Sequence, residues 1–198
     1  MSPCVITTLL GMGRWEPDAA GRLREAAIAL YLERGYEQTT VADIAERAGV
    51  TARTFFRHFA DKREVLFNGS EVLEESMVSA VTDAPADASP VAAIGAALDA
   101  SGEVLGDRHA YARQRSAAVA SSVELQEREL VKMARLAGAL TDALRGRGVG
   151  EIEARLVAET GVTAFRVGFE RWVTDPADDA DLSTAVRQVL QELLALRG

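Results

Sequence analysis

Residues 39–67 read TTVADIAERAGVTARTFFRHFADKREVLF, two short helical patterns joined by a glycine. Thr40 stands three residues before Asp43, so its hydroxyl can accept from the Asp43 backbone N–H and open a helix whose acidic first turn suits the macrodipole. Val41, Ile44, Ala45 and Ala48 then recur as one buried stripe. Gly49 falls where the chain leaves that helix through a left-handed conformation, which costs glycine no Cβ clash. Thr51 caps the next helix. Two helices at a sharp angle are the expected result.

The second helix separates into two faces when residues are placed about 100° apart with Arg53 at zero. Arg53, Arg57, Thr54 and His58 span an arc of about 140°, and Phe55, Phe59 and Phe56 take roughly the opposite 100°. The aromatic side is expected to seat the helix and the polar side to face out. Arginine forks onto guanine edges or phosphate, and threonine meets a base hydrogen-bonding group or the thymine methyl, so this face carries the chemistry of major-groove readout. Specificity is expected to reside in Arg53, Thr54 and Arg57. Asp61 reads as the cap of a following helix, placing Lys62 in its first turn, where ammonium and backbone N–H groups together suit one phosphate.

The same stretch, extended back through Arg24-Glu25-Ala26-Ala27 and Gly35-Tyr36-Glu37-Gln38-Thr39-Thr40, closely resembles the DNA-binding domain of the TetR family of transcriptional regulators, the TetR/AcrR-type helix-turn-helix. The resemblance covers about residues 20–67. It implies an all-α homodimer, with three N-terminal helices on DNA and a larger C-terminal helical domain that binds a small molecule and forms the dimer contact. It further implies a repressor released by its ligand from a palindromic operator in double-stranded DNA. The DNA-contacting residues expected on this basis are Thr39, Thr40, Thr51, Arg53, Thr54, Phe56, Arg57, His58 and Lys62. One departure is visible: the family usually has a tyrosine where this chain has Phe56, so a phosphate contact through that hydroxyl is lost.

A net charge of −8 over 198 residues looks wrong for a DNA binder until it is divided along the chain. Residues 1–66 hold nine basic and nine acidic side chains, so residues 67–198 carry the whole excess. Within residues 47–63, Arg47, Arg53, Arg57, Lys62 and Arg63 face only Asp61, a local balance of +4 that makes an electrostatic footprint for DNA. The plainer reading of these arginines is a solvated helix face. An apolar content of 48% suffices for a core. No stretch approaches the roughly 20 apolar residues of a membrane span, and Val5–Leu10 makes a poor signal peptide, so the expected location is cytoplasmic. The single cysteine, Cys4, and the two histidines leave no cluster with metal-ligand spacing, and no cofactor is expected.

Residues 1–17 are expected to be a disordered extension, with Met12 a possible true start, residues 18–66 the DNA-binding domain, and residues 67–198 the regulatory and dimerisation domain. A first helix runs from Asp18 to Arg34 with Leu23, Ala27, Leu30 and Tyr31 inward, and Gly35 ends it. A fourth helix is expected from about Lys62 to Val81, burying Val65, Leu66, Val72, Leu73 and Met77. Asp83 to Pro90 reads as a loop. Further helices are expected near 90–105, 108–120, 122–145, 151–173 and 181–197.

In the last two helices Ala158, Val162, Phe165, Phe169, Trp172 and Val173, and then Leu182, Val186, Val189, Leu193 and Leu196, recur at three and four. The expected dimer surface is Ala158, Val162, Phe165, Phe169, Val186, Val189 and Leu193, with Gly161 and Gly168 permitting close approach; the alternative is that the stripes close the monomer core. A ligand cavity could be lined by Met77, Leu105, Tyr111, Met133, Leu136, Phe165 and Trp172, although such residues are more often plain core. His109, Arg113, Arg115 and Arg166 are weaker candidates for polar selectivity. Catalysis finds no support: His109 has no nucleophile or carboxylate at a recognised spacing, and Gly146, Gly148 and Gly150 read as a helix stop with no preceding strand. A DNA-bound protein whose C-terminal bundle recruits a protein partner or activates transcription remains the competing class.

Overall fold

The computed structural model describes residues 18–175 and 181–196, and every regular element among them is helical. The expected extension at 1–17, with Cys4 and Met12, lies outside the described residues. The α-helices are α1 (Ala19–Arg34), α2 (Val41–Arg47), α3 (Ala52–His58), α4 (Ser70–Asp83), α5 (Pro90–Leu105), α6 (His109–Ala120), α7 (Val123–Gly146), α8 (Glu151–Thr174) and α9 (Leu182–Ala195). Asp18 caps α1 by accepting from Gly21 N at 2.8 Å, and Gly35 ends it at φ 88°. The glycine run after α7 is indeed a helix stop: Gly148 stands at φ 85° and its N–H donates to Arg145 O at 2.8 Å.

The fourth helix departs from expectation. The Asp61 carboxylate accepts from the backbone N–H groups of Arg63 (2.8 Å) and Glu64 (3.0 Å), but what it caps is only a 3₁₀ turn, Glu64–Leu66. Gly69 at φ 92° then breaks the chain before α4 begins. The break resets the helical phase, so Leu73, Met77 and Val81 face inward while Val72 is 57% exposed.

Two apolar cores result. The first joins Leu23, Ala27, Tyr31, Tyr36, Ile44, Phe55, Phe59 and Leu66 to Phe67, Ala118, Val119 and Leu125. The expected border at 66/67 therefore does not separate the cores, because the corner between α6 and α7 is built into the N-terminal one. The second core fills the space among α4, α5, α7, α8 and α9.

The stripes of α8 and α9 belong to this second core rather than to a partner-facing surface. Ala158, Val162, Phe165, Trp172, Val173, Leu182, Val186 and Val189 are buried within the single chain, with Phe169 and Leu193 packed at the margin. The glycines explain why. A Cβ on Gly161 would stand 2.6 Å from Ile94 Cγ2, and one on Gly168 would stand 2.7 Å from the Val186 Cα. Close approach is thus used inside the subunit, where α8 meets α5 and α9, and those neighbours cover the stripe that was expected to seek a second copy. Leu196 is exposed.

Candidate nucleic-acid interface

The helix-turn-helix is held by local bonds that the residue spacing dictates. Thr40 and Asp43 form a reciprocal box: Thr40 Oγ1 accepts from Asp43 N at 3.2 Å, and the Asp43 carboxylate accepts from Thr40 N at 2.8 Å and from the Thr40 hydroxyl at 2.6 Å. These hydrogen bonds, with Arg34 at 2.6 Å, hold the Asp43 carboxyl down at about 2. At the other end of α2, Val50 N donates to Ala45 O (2.9 Å) and Gly49 N to Glu46 O (3.0 Å), with Gly49 at φ 68°. This double closure satisfies carbonyls that the helix would otherwise leave open. Thr51 then caps α3, accepting from Thr54 N at 3.2 Å.

Phe55 and Phe59 are buried in the first core, and Arg53 and Arg57 project into solvent from the opposite side. They line, with Thr54 and Phe56, a shallow open depression of about 430 Å³. Neither arginine has a hydrogen bond or ion pair with another described residue, so both guanidiniums are free for a polyanion. Thr54 is half-buried, and its hydroxyl lies 3.1 Å from that of Thr51.

Three expected contact residues, Thr39, His58 and Lys62, and one residue of the expected seating face, Phe56, are placed otherwise. Phe56 is not part of the seating face: it is 59% exposed, because its position on the helical wheel adjoins Arg53 and overshoots the core. Thr39 is buried, and its hydroxyl donates to Gly35 O at 2.8 Å, which removes it from reach of DNA. His58, at the edge of the polar arc, is half-buried; its Nε2 is shielded from solvent and has no hydrogen-bond partner among the described residues. Lys62 points inward, where Nζ donates to the carbonyls of Tyr36 (2.8 Å) and Thr39 (3.0 Å) and sits 4.1 Å from the Tyr36 ring centroid. Its ammonium is consumed in satisfying the carbonyls of the α1–α2 turn. Thr40 and Thr51 remain exposed as capping residues.

The local +4 is likewise trimmed. Arg47 forks onto Glu33 at 2.9 and 2.7 Å, and Arg63 pairs with Asp61 at 2.9 Å and Glu124 at 3.5 Å. Among the described residues, what stays unpaired on this side is the pair Arg53 and Arg57.

A second set of residues, which no spacing in the sequence signals, ties the reader to the bundle. The Tyr36 hydroxyl donates to Glu124 Oε1 at 3.0 Å, across 88 residues, and Ser122 Oγ donates to Glu37 Oε1 at 3.0 Å. Arg128 reaches Glu64 at 2.9 Å. Arg115 Nε donates to Leu66 O at 2.8 Å and its other nitrogen to Glu129 at 2.5 Å. Both guanidiniums, of Arg115 and Arg128, lie over the Phe67 ring at 5.0 and 5.2 Å. Beneath them Lys132, 3.8 Å from Glu129 with its side chain 17% exposed, has no hydrogen-bond acceptor among the described residues. Burial, aided by the Arg115 charge, pulls its ammonium down to about 8. Burial works to raise the Glu129 carboxyl, but Arg115 and Lys132 outweigh it and the net direction is down.

The expected ligand-lining residues do not share one space. Tyr111 packs on the first core, whereas Met77, Met133, Leu136, Phe165 and Trp172 are in the second and Leu105 is at its margin. They are packing residues. His109 and Arg113 hold carbonyls at the end of α8, His109 Nε2 lying 2.8 Å from Trp172 O and Arg113 Nε donating to Val173 O at 3.0 Å. Arg166 is exposed.

Residues 23–68 match the family profile described as bacterial regulatory proteins, tetR family. Over 79 residues the chain is 42% identical to the HTH-type transcriptional regulator TcmR of Streptomyces glaucescens, covering 40% of this chain and 35% of that one. Over 46 residues it is 46% identical to the HTH-type transcriptional repressor KstR2 of Mycobacterium tuberculosis, 23% of each. The matched stretch thus spans only 23–35% of these relatives' own length. The fold is shared more widely. A TetR-family regulator from Syntrophomonas wolfei superposes with a TM-score of 0.64 at 17% identity, over 90% of this chain and 94% of that one. SmeT, the repressor of the Stenotrophomonas maltophilia multidrug efflux pump SmeDEF, does so with 0.59 at 21% identity, over 91% and 90%.

Proposed function

Because residues 23–68 belong to the tetR family of bacterial regulatory proteins, we propose that this protein is a sequence-specific DNA-binding transcriptional regulator, a homodimeric repressor released from a palindromic operator by a small molecule. The observation that carries the reading is the α3 face, where Arg53 and Arg57, without a partner among the described residues, flank Thr54 on a helix seated by Phe55 and Phe59. An exposed helix of this kind enters the major groove, and unpaired arginines supply both phosphate neutralisation and guanine readout.

A second copy supplies the second reader. With most of the α8 and α9 stripes buried within the chain, a surface that suits it is the outer side of α8, where Ile152, Leu156 and Val167 are exposed on one face. A twofold assembly reads half-sites about 34–36 Å apart, or a multiple of that. Ligand response would pass through the joint at Glu124, Arg115 and Arg128: an effector that prefers a bundle with the α6–α7 corner displaced lowers DNA affinity by that difference in binding energy.

The test is selection of fragments from sheared genomic DNA by the purified protein, then a mobility shift of the best fragment at two salt concentrations. Enrichment of a palindrome, bound with a steep salt slope, is the expected result; no enrichment by a folded dimer would sink the proposal.

A further inference from the structure

We propose that Phe56 is a specificity-determining residue that reads the C5-methyl group of one thymine in each operator half-site; this rests on the reading of the protein as a DNA-binding regulator. Phe56 is the one aromatic ring among the exposed large apolar side chains of the described residues. Its neighbours Phe55 and Phe59 are 0% and 3% exposed, so the core of the reader is already complete without it. A ring left in water on a helix that otherwise presents arginine and threonine is apolar area awaiting a partner.

Its placement says which partner. On the helical wheel Phe56 lies about 60° to one side of Arg53 and Arg57 about 40° to the other, and all three line the same depression with Thr54. Whatever the two guanidiniums grip, Phe56 meets as well. The ring is held edge-on against Phe55, centroids 5.4 Å apart and planes at 82°, so little side-chain freedom is lost on contact. Phenylalanine has no donor or acceptor and cannot read the polar edges of bases. Among the groups by which the major groove tells base pairs apart, the thymine methyl is the apolar one, and contact with it distinguishes A·T from the other pairs. With no phenolic oxygen at this position, the ring has no polar group to send to a phosphate, which leaves the groove floor as its complement.

The test uses the full-length wild-type protein and the operator recovered by selection. Each thymine of the half-site is replaced in turn by deoxyuridine, symmetrically in both half-sites, which deletes the methyl and nothing else. At one position affinity should fall by roughly fourfold per half-site, the worth of one buried methyl, and so by about 15-fold for the symmetric pair. Phe56→Ala should bind the unmodified operator weakly and be indifferent to the same replacement, with an unchanged melting temperature. If no thymine is methyl-sensitive, or if Phe56→Ala keeps the full sensitivity, the ring packs on sugar and phosphate and the assignment is overturned. Failure to enrich any operator is a different result, and removes the regulatory reading along with this one.

Discussion

The reader at the N-terminus and the bundle behind it are both packed from amphipathic helices, yet the bonds that shape them differ in reach. In the reader, Thr40 with Asp43 and Thr51 with Thr54 close over three residues, and Gly49 turns the chain by its own φ of 68°. In the bundle, Gly168 serves the Val186 backbone and Gly161 serves Ile94, partners far along the chain. The same residue type therefore does two different things: Gly49 supplies a conformation, whereas Gly161 and Gly168 supply room. The lesson is that a residue's role follows from whether its partner is local or distant, and only the first kind announces itself by spacing.

That contrast can be broken by substitution. Gly168→Val forces a side chain against the backbone Cα and N of Val186 (2.7 and 2.9 Å from the Cβ position), and backbone cannot swing aside. Thermal unfolding should show a loss of about 3 kcal/mol or more, and a near-normal Tm would mean that α8 and α9 do not pack as described.

Lys132→Met sharpens the comparison at the joint between the two regions. The ammonium is drawn down to about 8 in the fold from an ordinary 10.5, so below pH 8 the folded state holds a charge it disfavours. As pH rises from about 8 to 10.5 the unfolded chain keeps more protons than the folded one, and stability climbs. The variant should be more stable at pH 7 by on the order of 2–3 kcal/mol and should lack that climb. Equal pH slopes in chemical denaturation of the two proteins would refute the burial of a charged Lys132.

Arg57→Ala and Lys62→Ala should part company. Arg57→Ala should leave the melting curve unchanged and cost about 1–3 kcal/mol of operator binding. Lys62→Ala loses two carbonyl partners and the Tyr36 ring, so it should lower stability by roughly 1–2 kcal/mol while the salt slope of DNA binding stays as it was. A slope reduced by about one would return Lys62 to the phosphate contacts. The smallest effect belongs to Gly49→Ala, where nothing lies within 4 Å of the new Cβ. Only left-handed strain remains, about 1 kcal/mol by thermal melting.

The helix-turn-helix, its caps and most helix boundaries could be read from residue spacing, because each depends on residues a turn or less apart. Phe56, Thr39 and Lys62 could not. Whether Phe56 faces in or out depends on how α3 is rotated against Phe55 and Phe59. The inward path of Lys62 depends on the carbonyls of Tyr36 and Thr39 having been folded beneath it. The stripes on α8 and α9 showed that these helices must bury one side, and periodicity carries no label for the partner.

What the amino-acid sequence alone determined is the all-α class, the caps and most of the helix positions, and a helix-turn-helix whose second helix seats Phe55 and Phe59 and turns Arg53 and Arg57 outward, since capping, φ and amphipathic period act within a few residues of one another. What only the tertiary structure decided is which faces meet: α8 on α5 and α9, the α6–α7 corner inside the reader's core, Glu124 against Tyr36. Those contacts join residues tens of positions apart, and their energy comes from shape and burial that exist only once the helices are packed.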